Sequence, residues 1–403
     1  MMMTFRKRKA FLMNKFIKVF IFSQCLCASV VGFLSISVGH AAEINPKLSL
    51  SVSEQYNDNV LLQKTDRKGD FETSVSPGLD ISLQSGKTTL SLGYTPGFNY
   101  YIKDTNLDNT SHNVHAAGTF NLSDATVVGI NDTFMKSSEI SDLSGIANIG
   151  PVRVLTEETV NNGAGNVTFK LSSNLNLVLG GGATTTNIKG TASGNSETYT
   201  GNAGLNYTLS ERTTVSGTAG YSQFDYEAGN DSNSQNYGLG LTYVLTPTVT
   251  LGLNGGLSVT QFANAGTGSP NFNGSAALTK KFQSGTASIS FAQSIISSAA
   301  DSEPMKQQQV SIQFARPLTE SLSASLMASY SQYNSIKTSL ANTALADTDT
   351  LSAGAGLTYK INTWADLALN YSYLSLKNRV NGAADYSDNV VMLKLTIFYD
   401  RKF

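Results

Sequence analysis

Leu90, Leu92, Tyr94, Pro96, Phe98, Tyr100 and Ile102 occupy every second position of one stretch, with Thr, Ser, Gly and Asn mostly between them. A helix brings a residue back to one face every 3.6 positions, whereas a strand does so every second position. The run therefore predicts a strand with one apolar and one polar face. The same alternation recurs at Leu239-Leu241-Tyr243-Leu245, at Val249-Leu251-Leu253-Gly255-Leu257-Val259 and at Leu393-Leu395-Ile397-Tyr399. After residue 42 no apolar stretch is long enough for a membrane-spanning helix.

The connections between runs alternate in length. Short ones fall at 85–87, 123–125, 172–174, 210–212, 246–248, 283–285, 317–320 and 362–365, with hairpin-turn residues at each. Long ones cover approximately 57–69, 103–110, 137–157, 189–196, 227–233, 263–270, 297–306, 335–348 and 377–387. Short turns on one side and long loops on the other predict an all-β, transmembrane, antiparallel up-and-down β-barrel of about 18 strands, within a range of 16–20. The short turns would be periplasmic and the long loops extracellular.

Aromatic residues support that orientation. Phe120, Tyr207, Tyr243, Phe282, Phe314, Tyr359 and Tyr399 stand on the apolar phase near the short turns. Tyr56, Phe71, Tyr100, Phe134, Tyr199, Tyr221, Tyr237, Tyr371 and Tyr373 stand toward the long loops. Two rings of aromatics at fixed heights fit the two membrane interfaces, and a soluble β-sandwich has no need of them. Lys280, Arg316 and Arg401 break the apolar phase only near the short-turn end, where a long cation reaches water. The last residue, Phe403, is in the outward phase. It resembles the C-terminal aromatic signal read by the barrel-assembly machinery, and a girdle residue is the plainer alternative.

Composition adds the lumen and the leader. Only 14% of residues are charged, against roughly 25% in a typical soluble domain, yet mean hydropathy is near zero. Polar hydroxyls and amides fill the difference, as a wet barrel interior requires. Residues 1–42 read as a signal peptide: Arg6, Lys7, Arg8, Lys9, Lys15 and Lys18 precede an apolar run from Val19 to Val38 and small residues at Gly39, Ala41 and Ala42. The alternative is an uncleaved anchor helix, since the run is long enough to span. Residues 43–403 are then the barrel domain. Both cysteines, Cys25 and Cys27, lie in the leader, so the barrel domain takes nothing from disulfides. Without those six basic residues, 22 of the 28 remain against 29 acids, a net charge of −7, which disfavours nucleic acid as a partner.

Catalytic motifs are absent. There is no Gly-x-Ser-x-Gly elbow and no paired His-Glu metal motif. His112 and His115, three apart on a strand, face opposite sides and cannot grip one metal, and Ser111 beside His112 is as poorly placed. Neither an enzyme nor a cofactor-dependent protein is expected.

Ser53-Glu54-Gln55-Tyr56-Asn57-Asp58-Asn59-Val60, then Asp70-Phe71 and Val75-Ser76-Pro77-Gly78-Leu79, resemble the opening strands of a bacterial β-barrel porin family found beside exopolysaccharide loci. The resemblance covers about a tenth of the chain. It implies an 18-stranded barrel in a Gram-negative outer membrane, a cargo of exported polysaccharide with periplasmic export partners, and no catalytic residues. Asn57, Asp58, Asn59 and Asp70 form its signature loop. Their plain reading is that of turn formers, and a cation-binding role is the alternative.

Two further groups bear on transport. The inward charges are Glu72, Asp80, Lys170, Lys281, Lys360, Asp366 and Lys394, of mixed sign, among which Asp80 and Lys394 are candidate lumen charges. Such a wall suits neutral hydrogen-bonding solutes better than ions. Loop 137–157, the longest, carries many apolar residues and is expected to fold over the mouth as a constriction, presenting Glu139, Asp142, Arg153, Glu157 and Glu158; packing over the outer rim or against a neighbouring subunit is the alternative. A conduit for saccharide or exopolysaccharide and a closed structural barrel both fit the sequence.

Overall fold

The computed structural model describes residues 43–138, 157–189, 195–228, 231–263, 266–268, 270–298, 303–336, 347–379 and 385–400. The predicted leader 1–42, the residues Glu139, Asp142 and Arg153 of loop 137–157, Arg401 and the terminal Phe403 all lie outside the described residues.

Eighteen long strands and one two-residue rung form a single sheet. The first nine are β1 (Glu43–Asn57), β2 (Asp70–Ser85), β3 (Thr88–Tyr101), β4 (Asn109–Ser123), β5 (Thr126–Ser137), β6 (Glu158–Lys170), β7 (Leu175–Ile188), β8 (Ser196–Ser210) and β9 (Thr213–Tyr226). Next come β10 (Ser232–Thr246), β11 (Val249–Phe262), the rung β12 (Gly266–Thr267), β13 (Asn271–Phe282), β14 (Gly285–Ser298) and β15 (Glu303–Pro317). The chain finishes with β16 (Leu322–Ser335), β17 (Thr348–Asn362), β18 (Ala365–Asn378) and β19 (Tyr386–Asp400). Each long strand pairs antiparallel with the next, and β1 pairs with both β2 and β19, from Lys47 opposite Asp400 to Asn57 opposite Val390. The ring is closed. Closure leaves no strand edge, which is what hydrocarbon surroundings demand of a sheet.

The eight short turns fall where the pattern put them. Register shifts occur just before four of them, at Asn121/Ser123, Thr208/Ser210, Val244/Thr246 and Lys360/Asn362, the rim position where bulges end a ladder. The connection predicted at 297–306 departs from expectation. It is much shorter, because β14 runs to Ser298 and β15 begins at Glu303. Ile296 and Met305 are register partners, both buried and packed on Tyr333, and this pair carries the ladder further than turn-forming residues suggest.

The two faces differ as the alternation requires. Leu92, Tyr94, Phe98 and Tyr100 of β3 are exposed, as are Leu205, Leu239, Leu257, Leu326, Leu357, Leu393 and Ile397 elsewhere. Large apolar side chains around the whole outside match a wall solvated by lipid. Lys280 lays its ammonium 5.1 Å from the centroid of Phe282 beside the short turn, as expected of a snorkelling cation.

Candidate functional site: the lumen and its long-loop mouth

The inner phase of the strands is not uniform along the barrel axis. In β10 Thr242 is exposed while Ser234 is buried; in β11 Asn254 is exposed while Ser258 and Thr260 are buried; in β16 Ser325 is exposed while Ser331 is buried. In each case the buried residue stands nearer the long loops. Asp70, Glu72, Asn99, Glu158, Thr186, Thr348 and Asp388 are also buried at that end. The short-turn half of the lumen is therefore open and wet, and the long-loop half is narrowed.

The open half is lined by hydroxyls and amides that bond across strands: Ser51 with Thr396 at 3.1 Å, Ser290 with Ser311 at 2.7 Å, Ser329 with Ser352 at 2.8 Å, and Asn254 Nδ2 to Ser275 Oγ at 3.0 Å. The inward charges here are of mixed sign. Asp80 Oδ1 lies 3.3 Å from His115 Nε2, and Lys360 stands opposite Asp366 in register. Lys394 faces the lumen opposite Ser53. The Asp80–His115 contact passes directly over Gly93, the register partner of both residues, where an added Cβ would overlap the imidazole ring and the carboxylate. His112 points the other way, with Nδ1 3.0 Å from the Tyr94 hydroxyl on the outer face, so the two histidines are on opposite sides of the wall.

Two features narrow the mouth. The first is a fold in the wall. Adjacent strands lie about 4.8 Å apart, so strands two steps apart in a flat sheet lie about 9.6 Å apart. Yet Cα atoms of β10 and β13 come within 8 Å, and so do those of β9 and β15, which are five steps apart. The sheet doubles back at this end. Within it β10 and β11 approach closely at the Gly238–Gly256 register pair, where a Cβ on Gly256 would overlap the backbone at Tyr237 and Gly238. The Tyr226 and Ser297 hydroxyls meet across the gap at 3.1 Å, with Phe224, Phe262, Ile296 and Met305 also buried.

The second is loop 58–69, which carries the signature residues. Asn57 and Asp58 tie the loop to β19: Asp58 accepts the backbone N–H of Asn389 and its side-chain amide, both at 2.7 Å, and Asn57 Nδ2 donates to Asp388 Oδ2 at 3.4 Å. Asn59, fully buried, donates to the carbonyls of Gln63 and Ser387 and accepts the Gln63 N–H. Leu62 packs against Leu376 and Tyr386. Both belong to the inner phase, because Tyr371, Val391 and Leu393 hold the outer one. The loop thus folds inward. Lys64 pairs with Asp385 at 3.1 Å and Arg67 donates to Ser387 Oγ at 2.7 Å. The backbone N–H of Asn378, and then Lys64, hold the Asp385 carboxyl below its usual range. Asp70 joins this loop to the next: its carboxylate accepts the N–H groups of Phe71, Lys103 and Asp104. The four signature residues are therefore fasteners, which is more than the turn chemistry their types suggest. Sequence reasoning missed Leu62 and its partners because nothing local marks which loop folds inward.

Of the residues expected from loop 137–157, two are described. Glu157 pairs with Lys136 at 3.3 Å and Lys189 at 3.5 Å, and Glu158 is buried at the first position of β6. Among the described residues, no group of three or more His, Cys, Asp or Glu side chains is arranged to hold a metal.

Residues 267–399 match the family model described as "Putative beta-barrel porin 2". That stretch is a third of the chain and lies at the opposite end from the signature segment. No curated protein matches the sequence. Among solved structures, OccK2 (OpdF) of Pseudomonas aeruginosa is 12% identical over 88% of this chain and 98% of its own, with a TM-score of 0.48. OccAB3 of Acinetobacter baumannii is 13% identical over 89% and 99%, with a TM-score of 0.47. Similarity at that level carries no inference about cargo. With a closed ring, a lipid-facing exterior, a wet interior and the family match over β13 to β19, the chain is a bacterial outer-membrane β-barrel similar to the β-barrel porins of that family.

Proposed function

We propose that the chain is a passive conduit for saccharides, including exopolysaccharide leaving the cell. The observation that carries this reading is the wall of the open half-lumen: exposed Thr119, Asn202, Thr218, Asn254, Ser325 and Thr358, with inward charges of mixed sign. Hydroxyls and amides exchange hydrogen bonds with sugar hydroxyls at little net cost. Partners that go with the reading are outer-membrane lipid, the barrel-assembly machinery and a periplasmic component that delivers polysaccharide to the short-turn end.

The burial of inner side chains at the long-loop end favours one second reading, a surface barrel with a closed lumen and no transport role. Planar-bilayer recording of the purified barrel separates the two. A conduit gives unit currents that neutral oligosaccharides interrupt from the short-turn side. Silence in every condition, from a barrel that shows heat-modifiable gel mobility, supports the closed barrel.

A further inference from the structure

We infer that loop 58–69 is the element that sets the width of the pore. This rests on the conduit reading and names the part of the chain that limits what passes.

The loop is the one long connection, among those described in full, whose own apolar side chains are buried against the inner wall. Val60 and Leu62 are buried, Asn59 is fully so, and Leu62 sits on Leu376 and Tyr386 of the inner phase. The loop also closes on itself, since Val60 N–H donates to the Lys68 carbonyl and Leu62 N–H to the Asn59 carbonyl. It is a compact body seated in the mouth.

Its backbone is held against its preference. Leu62 has φ of 54° and Asp66 of 59°. A bulky non-glycine residue in the left-handed region is costly and persists only where its surroundings impose it. The hydrophobic contact of Leu62 and the bonds of Asn59 and Asp58 to β19 supply that imposition. Released from them, the loop has a reason to leave.

The placement also fits the ring. Loop 58–69 follows β1 but bonds to β19, so it straddles the seam where the first and last long strands meet. The folded wall between β9 and β15 occupies a different arc of the ring. Among the described residues, these two bodies narrow the mouth from different arcs. Its exposed residues run from Gln63 to Lys68.

The test uses residues 43–403 refolded and reconstituted in planar bilayers. One variant replaces residues 61–67 by two glycines. A second, Leu62→Asp, places a charge against Leu376 and Tyr386. A third, Gln63→Cys, gives a single thiol in a barrel domain that has none, for attachment of a bulky thiol reagent. The inference expects about a twofold or larger rise in unit conductance for the first two, with a higher size cut-off for polyethylene glycols, and a fall when the introduced thiol is labelled. If the first two fail to fold, the labelling arm still decides, because Gln63 is exposed. Wild-type conductance in the trimmed barrel, or no effect of labelling, overturns the inference and leaves the conduit reading standing. If neither wild type nor the trimmed chain conducts, the conduit reading is overturned and this inference goes with it.

Discussion

At the scale of the residue, the lumen depends on small side chains placed where large ones cross. Gly93 is the clearest instance, because the Asp80–His115 contact between β2 and β4 passes over it. Gly93→Ala should expel the imidazole from this position. Both partners are about half exposed, so the stability lost should be about 1 kcal/mol or less. A chemical-denaturation midpoint checks this, and a loss several times larger would assign Gly93 to assembly of the sheet instead. The signature residues show what residue types alone convey. Asn57, Asp58 and Asn59 are recognisable as turn formers in the sequence, and they do leave β1 at that point. Their bonds to Asn389 and Ser387 span more than 300 positions, and no local pattern encodes such a partner.

At the scale of the element, alternation made the strands legible almost to their ends. The pattern misleads where inner residues are apolar, as at Ile296 and Met305, since a hydrophobic pair in the inner phase looks like neither a wet lumen nor a lipid face. Loop 58–69 also has a pH dependence. Asp385 has its carboxyl pKa lowered by the Asn378 N–H and by Lys64. A depressed pKa stabilises the folded arrangement above the unfolded value of about 3.9, and that stabilisation is lost as pH falls through the lower folded value. The Lys64 contact should therefore weaken only in strong acid, below about pH 4. Conductance of Lys64→Gln should be noisier than wild type from neutral pH down to that acid range, and the two should converge below it. A change beginning near pH 6, about where histidine titrates, would point to another group. Because both side chains are exposed, the effect should also shrink in high salt.

At the scale of the whole molecule, the two ends of the barrel differ in kind. Short turns and bulges finish one end, and long loops with buried inner side chains finish the other. The barrel domain contains no cysteine, so single thiols report orientation cleanly. Ala228→Cys, exposed in the connection after β9, should react with an impermeant reagent on intact cells, and Glu211→Cys in the turn after β8 should not. The reverse result would invert the barrel and would place the narrowed mouth in the periplasm.

The sequence by itself determined the strands, the eight short turns and the lipid-facing phase. Each of these is a local matter: a side-chain period of two, a turn residue, an apolar group that must meet hydrocarbon. Tertiary structure alone decided that the wall between β9 and β15 doubles back and that loop 58–69 enters the mouth. These depend on contacts between residues far apart in the chain. An alternating pattern specifies which face of a strand is wet but not which strand lies across the lumen from it. Leu62 shows the difference most plainly. In the sequence it is an apolar residue in a polar loop, and only the inner wall formed by Leu376 and Tyr386 gives it a place to go.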